Sequence, residues 1–104
     1  MLDETLIALA DPTRRAILAR LALGEARVTE VAEPFPISLN SVSKHIRRLE
    51  RAKLVRRRVE GRDHWLALDP RPLGEVEAWM AEQKRLWAWR LDRLDEVLKE
   101  EGDA

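Results

Sequence analysis

The chain has no cysteine. Disulfides, thiolate metal sites and a redox-sensing thiol are therefore excluded, which fits a cytoplasmic protein. It has no net charge either, because nineteen Lys plus Arg balance nineteen Asp plus Glu. Taken at face value, that balance argues against a polyanionic partner. No apolar run approaches the roughly 18 residues of a membrane span. Asp3 and Glu4 stand where a secretory leader would place basic residues before a greasy stretch. Export and membrane insertion are not expected. There is no internal repeat and no low-complexity segment. There is also no Gly-rich phosphate loop, no nucleophile with an accompanying base, and no cluster of histidines and carboxylates, so an enzyme is not expected.

What remains is 104 residues, a length for which one domain is the default. Folding at this size buries about 65% of the unfolded chain's surface, enough for one modest core. Apolar residues make up 45%, ordinary for a globular protein, so wholesale disorder is excluded. Charged residues make up 37%, well above the usual quarter. A chain with so much solvated surface relative to its core gains from a partner subunit.

The neutrality is a cancellation. Residues 44–62 hold nine basic side chains (Lys44, Arg47, Arg48, Arg51, Lys53, Arg56, Arg57, Arg58, Arg62) against Glu50 and Glu60, net +7. Residues 1–43 carry −2, residues 63–70 carry −2 and residues 71–104 carry −3. A basic window in a neutral chain points to a polyanion, unless its charges merely decorate a solvated face. Their placement decides between the two.

Leu2 to Leu9 reads as a first helix. Asp11-Pro12 reads as an N-cap with proline at the first helical position, opening a second helix to about Leu23, with Gly24 a C-cap candidate. Ala26 to Val28 allows only a small strand. Thr29 can cap a short third helix that Pro34 and Pro36 bring to an end. From Ser38, a further N-cap candidate, the apolar residues Leu39, Val42, Ile46 and Leu49 follow a 3-4-3 spacing, one face of a helix to about Ala52. Asn40, Lys44, Arg47, Arg48 and Arg51 cluster on the opposite face. Leu54 to Glu60 and His64 to Leu68 read as two strands joined by a Gly61-Arg62 turn. After Asp69-Pro70 a long helix runs to about Lys99, with a polar tail behind it, flexible over residues 101–104. Leu73, Val76, Met80, Trp87, Leu91, Leu94 and Leu98 form its apolar stripe, which Trp79, Leu86, Trp89 and Val97 broaden.

This order describes a mainly α fold of about five helices with a small β-hairpin, a winged helix-turn-helix. Residues 29–52 form the helix-turn-helix and 54–68 the wing. In such a motif the second helix enters the major groove and flanking basic groups clamp phosphates. The +7 window covers most of that helix and the wing, which favours double-stranded DNA as the polyanion. The stripe on the last helix is too wide for a lone helix to bury against so small a domain, which points to a homodimer.

Specific segments sharpen this. Leu9-Ala-Asp-Pro-Thr-Arg-Arg-Ala-Ile-Leu18 resembles the opening signature of ArsR-type bacterial transcriptional regulators. Ile37-Ser-Leu-Asn-Ser-Val-Ser-Lys-His-Ile46, followed by Leu49 and Leu54-Val55, resembles their recognition-helix signature. Gly61-Arg62 and the strand after it resemble their wing. The likeness covers residues 5–70 in detail, and the last helix matches in placement. It implies a homodimeric winged-helix repressor whose first and last helices, residues 1–10 and 70–100, build the dimer interface. Many ArsR-type proteins sense metals through a cysteine pair in the third helix or ligands including histidine on the last. Here the third helix reads Thr29-Glu-Val-Ala-Glu33 and the last has no histidine, so the chain resembles the metal-independent branch. No cofactor or metal is expected, and the effector is not specified. Lys53 stands where the family usually has glycine, and lysine at positive φ costs about 1 kcal/mol.

The candidate DNA-binding residues are Ser38, Asn40, Ser41, Ser43, Lys44, His45, Arg47, Arg48, Arg56, Arg58 and Arg62. Asn40 can pair bidentately with adenine, and a serine can meet either kind of partner. Ser38 is mainly an N-cap with a phosphate contact as its second role, and Ser41 has first-turn capping as its alternative. Lys44, Arg47 and Arg48 suit phosphates or bases, while Arg51, far along the helix, reads as solvated or paired. Ser43 and His45 are placed near DNA by the family signature; His45 can equally be structural. Arg56, Arg58 and Arg62 are wing candidates for the backbone or minor groove. Arg14 and Arg15 can reach phosphate or pair with Asp11. His64 lacks partners for a metal and reads as a packing residue. The candidate dimer residues are Leu2, Leu6, Leu9, Trp79, Met80, Trp87, Leu91, Leu94 and Leu98. The expected function is that of a sequence-specific regulator, a dimeric repressor reading a palindromic operator; the alternative is a winged-helix protein-interaction module that never touches DNA.

Overall fold

The computed structural model describes residues 2–102. Its elements are α1 (Leu2–Leu9), α2 (Pro12–Leu21), β1 (Ala26–Arg27), α3 (Val28–Ala32), α4 (Leu39–Arg51), β2 (Val55–Glu60), β3 (Asp63–Leu68) and α5 (Leu73–Gly102). This is the mainly helical winged helix-turn-helix that the hydrophobic spacing predicts.

Each helix start has a local cause. Asp11 is the N-cap of α2: its carboxylate accepts the Arg14 backbone N–H at 3.0 Å, and Pro12 follows at the first turn. Ser38 caps α4 in the same way, its hydroxyl accepting the Ser41 backbone N–H at 3.1 Å. Thr29 does not cap α3. The helix begins two residues earlier, at Val28 with Arg27 at the cap position, and Glu30 reaches back to accept the Arg27 backbone N–H at 3.3 Å. α2 stops at Leu21, two residues short of the expected end, and the chain leaves through Gly24 at φ +140°.

The α4 terminus is a complete Schellman turn. The Leu54 N–H donates to the Leu49 carbonyl and the Lys53 N–H to the Glu50 carbonyl, both at 3.0 Å. Lys53 occupies the left-handed position at φ +66°. Leu49 and Leu54, which flank this turn, are both fully buried, and their packing holds the lysine in a conformation it disfavours.

The wing is larger than a hairpin. β1 adds to it, giving a three-stranded antiparallel sheet in the order β1-β3-β2. Ala26 pairs with Leu66, Arg27 with Trp65, and β2 runs from Val55 opposite Leu68 to Glu60 opposite Asp63. Gly61 supplies the positive φ of the tip at +62°. At the base, the Asp69 N–H donates to the Leu54 carbonyl at 2.8 Å.

The core gathers Ala8, Ile17, Leu21, Ala26, Val31, Val42, Ile46, Leu49, Leu54 and Leu66 around α4. The three inward residues of α4, Val42, Ile46 and Leu49, are fully buried. Each contributes about 1.5–3 kcal/mol by leaving water, which fixes the rotation of α4 and turns its basic face outward.

α5 departs from this compactness. It packs against α1, and Val76 is its one buried residue. The thirty-residue helix is about 45 Å long, and it accounts for the 75 Å long axis of the molecule. The helix continues through Glu101 and Gly102, so the tail expected from residue 101 starts helical. Asp103 and Ala104, like Met1, lie outside the described residues.

Candidate nucleic-acid interface

Because α4 is seated through Val42, Ile46 and Leu49, its remaining residues are displayed by geometry alone. Asn40, Lys44, Arg47, Arg48 and Arg51 are exposed. Lys44, Arg48 and Arg51 have no carboxylate partner among the described residues, and Arg47 bonds only its own helix, Nε donating to the Ser43 carbonyl at 3.4 Å. Four uncompensated cations thus lie on one helix. Ser38 and Ser41 at its start bond each other, the Ser38 hydroxyl donating to Ser41 Oγ at 3.0 Å. Ser41 and Ser43 are half-buried on the flanks.

Arg51 joins this group. A cleft of about 350 Å³ is lined by Arg14, Lys44, His45, Arg47, Arg48 and Arg51, with no acidic residue in its wall. Arg51 is exposed, as its place far along the helix predicts. What the sequence does not show is tertiary: Arg14 arrives from α2 and closes the cleft that Arg51 lines.

Arg14 is not spent on a carboxylate side chain. Its Nη2 and Nε donate to the carbonyls of Ile7 (2.9 Å) and Ala8 (2.8 Å) at the end of α1, and its Nη1 meets His45 Nδ1 at 3.3 Å. Asp11 Oδ2 lies 3.7 Å from the same nitrogen. The Arg14 backbone N–H, foremost, holds the Asp11 carboxyl below its ordinary pKa, with the charge of Arg14 adding to this. His45 is therefore engaged from behind, inside the protein.

The wing arginines differ from those of α4. Arg56 Nε donates to Asp69 at 2.9 Å. Arg57 binds Glu50 through two hydrogen bonds and meets His64 Nδ1 at 3.0 Å. Arg58 pairs with Glu25 and Glu60, both at 2.5 Å, which together raise its already high pKa. Arg27 and Arg58 flank the Trp65 ring from the two neighbouring strands, 5.5 and 5.6 Å from its centre. Arg62, at the exposed hairpin tip, carries no carboxylate partner among the described residues. His64 is exposed and hydrogen-bonded rather than packed, which corrects its expected role.

Of the candidate dimer residues, Leu2, Leu6 and Leu9 are half-buried within their own chain. Trp79, Met80, Trp87, Leu91, Leu94 and Leu98 are open to solvent, from 44% for Trp79 to 63% for Leu91. Leu86, Trp89, Val97 and, on α1, Ile7 are exposed beside them. Among the described residues no group of three or more His, Cys, Asp or Glu is arranged to hold a metal ion. None of the described helices is long and apolar enough to cross a membrane.

Known proteins share this arrangement. Residues 9–58 match the family model described as a helix-turn-helix domain. The HTH-type transcriptional regulator Rv2034 of Mycobacterium tuberculosis is 39% identical over 101 residues, which span 97% of this chain and 92% of that protein. The transcriptional repressor SdpR of Bacillus subtilis is 34% identical over 73 residues, 70% of this chain and 81% of that one. Among solved structures, the ArsR family transcriptional regulator RHA00566 superimposes with a TM-score of 0.79 at 47% identity, covering 84% of this chain and 96% of the other.

Proposed function

This chain belongs to the ArsR family of helix-turn-helix transcriptional regulators, DNA-binding proteins and not enzymes, and from that premise we propose that it is a homodimeric repressor reading a palindromic operator in the cytoplasm. The observation that carries the reading is the α4 face, where Lys44, Arg47, Arg48 and Arg51 stand exposed without carboxylates while the rest of the +7 window is largely paired. α4 enters the major groove, with Asn40 and Ser41 nearest the base edges and the cations on phosphates. Ser38 and Ser43 border the backbone, and His45 presents its outer ring edge.

On the wing, Arg62 is the first contact. Arg56 and Arg58 reach phosphate by exchanging Asp69, or Glu25 and Glu60, for it. The Arg58 pairs are exposed and contribute only about 0–1 kcal/mol, and the buried Asp69 keeps Arg71 as its partner when Arg56 leaves. The dimer forms through α1 and the exposed stripe of α5, which brings two recognition helices to half-sites one or more helical turns apart. SdpR bears the name of a repressor, which supports repression here. With no cysteine in the chain, the releasing signal is not a thiolate-bound metal.

Selection of bound DNA from a random pool tests this, followed by gel shifts of Lys44→Ala and Arg48→Ala. A palindromic consensus is expected, with both variants bound more weakly and the dimer intact. Wild-type affinity in both variants would sink the assignment of α4.

A further inference from the structure

The basic cleft and the end of α1 meet at a single side chain. Arg14 is half-buried, and three of its donors are committed to fixed acceptors: two carbonyls that close α1 and one ring nitrogen on α4. We infer that Arg14 is a positioning residue for DNA binding. It fixes the recognition helix relative to α1 through His45, and does not itself contact phosphate.

Charge and geometry lead to the same place. Lys44, Arg47, Arg48 and Arg51 surround the cleft that Arg14 closes, so its guanidinium lies among like charges. The partial negative charge of the α1 C-terminal carbonyls draws it inward. Arg15 reinforces that end, its Nη1 donating to the Leu9 carbonyl at 2.7 Å. Arginine holds its five donors in a rigid planar fork, so bonds to Ile7 and Ala8 leave Nη1 with a set direction, and His45 Nδ1 lies along it.

The contact also has a direction. Arginine has no acceptor, so His45 Nδ1 accepts in it and the ring hydrogen sits on Nε2. The ring thereby keeps one donor on the edge away from Arg14. Asp11 cannot replace Arg14 in this role: its Oδ2 stands 3.7 Å away and already accepts the α2 backbone. The apolar anchors of α4 fix its depth and rotation in the core. The Arg14–His45 contact, midway along the helix, ties that helix to the end of α1. In the dimer proposed above, α1 lies at the subunit interface, so this contact joins that interface to the DNA-reading helix.

The test uses the full-length protein and a selected operator duplex, with affinity measured across a salt series. Arg14→Lys keeps the charge but loses the fork, and Arg14→Gln loses both. His45→Leu leaves the α1 caps in place and removes both the Nδ1 acceptor and the outward Nε2–H, while His45→Asn puts an amide oxygen near the Nδ1 position. We expect Arg14→Lys, Arg14→Gln and His45→Leu each to weaken binding about fivefold, the size of one net hydrogen bond. The salt dependence stays at the wild-type slope. The double variant Arg14→Gln/His45→Leu loses no more than either single one, and His45→Asn stays near wild type. Wild-type affinity in Arg14→Lys, with a slope lowered by about one in Arg14→Gln, would make Arg14 a phosphate contact and overturn the proposal. Additive losses in the double variant would overturn it as well. If the Arg14 variants fail to fold, the two His45 variants still decide. The inference rests on α4 being the recognition helix, so Lys44→Ala is measured alongside. Undiminished binding there would show that this underlying reading had failed, and the proposal with it.

Discussion

Arg57 on the wing holds Glu50 on the recognition helix with both arms of its guanidinium, Nη2 to Oε1 at 2.7 Å and Nε to Oε2 at 3.2 Å. Seven residues separate them in sequence, across the turn through Lys53. The pair has the two-pronged geometry that makes an arginine–carboxylate contact directional. It therefore ties β2 of the wing to α4. Both side chains are about a quarter exposed (27%), so the stabilisation is modest. Arg57→Ala is expected to lower stability by about 0.5–1 kcal/mol and to weaken operator binding with little change in salt slope, because this cation is already paired. Urea melts and titrations at two salt concentrations check this. The swapped pair Arg57→Glu with Glu50→Arg should recover part of both losses.

Lys53 sits at φ +66°, the left-handed position that closes α4. Lys53→Gly removes the side chain that makes this conformation costly, so it is expected to raise stability by about 1 kcal/mol, less the entropy glycine adds to the unfolded chain. A higher midpoint in thermal unfolding is the sign to look for. An unchanged or lower midpoint would mean that the turn is not strained by lysine.

Asp11→Ala removes the cap of α2 and is expected to cost about 1 kcal/mol near neutral pH. The folded carboxyl titrates below its unfolded value, chiefly because it accepts the Arg14 backbone N–H. Its contribution is therefore complete above the unfolded pKa of about 3.9 and is lost as pH falls through the lower folded value. Melts at pH 7 and pH 3 should show the gap between wild type and variant narrowing in acid. A gap that stays constant would rule out the charged cap.

Leu91 and Leu94 are more than half exposed on the free part of α5. If that stripe seals the proposed dimer, Leu91→Glu buries a charge there and should yield monomers in sedimentation, together with loss of operator binding at dilute protein. The thermal midpoint of the wild type should rise with concentration, as a folded dimer requires, and that of the variant should not. A variant that sediments as the wild type does would move the interface elsewhere.

Local rules made much of this protein legible. The 3-4-3 spacing of Leu39, Val42, Ile46 and Leu49 determined that α4 is a helix and which way its arginines face, since a helix must bury its apolar stripe. Asp11 and Ser38 marked two helix starts because a short oxygen-bearing side chain can reach the unpaired N–H groups there. Gly61 marked the hairpin tip. The helix-turn-helix and the cluster of charge on α4 followed from these.

The sequence did not determine the state of each charge. Arg47, Arg48 and Arg51 differ little in sequence from Arg56, Arg57 and Arg58. The fold leaves the first three uncompensated and gives the others Asp69, Glu50, Glu25 and Glu60 as partners. Those carboxylates lie up to 33 residues away in the chain, beyond any helical or strand periodicity. For the same reason β1 joined the wing and the Arg14 side chain met the α1 carbonyls and His45 rather than the Asp11 carboxylate. Composition and spacing determine which elements form and which faces they bury. Which cation stays free for DNA depends on which acceptors tertiary packing brings within about 3 Å, the reach of a hydrogen bond.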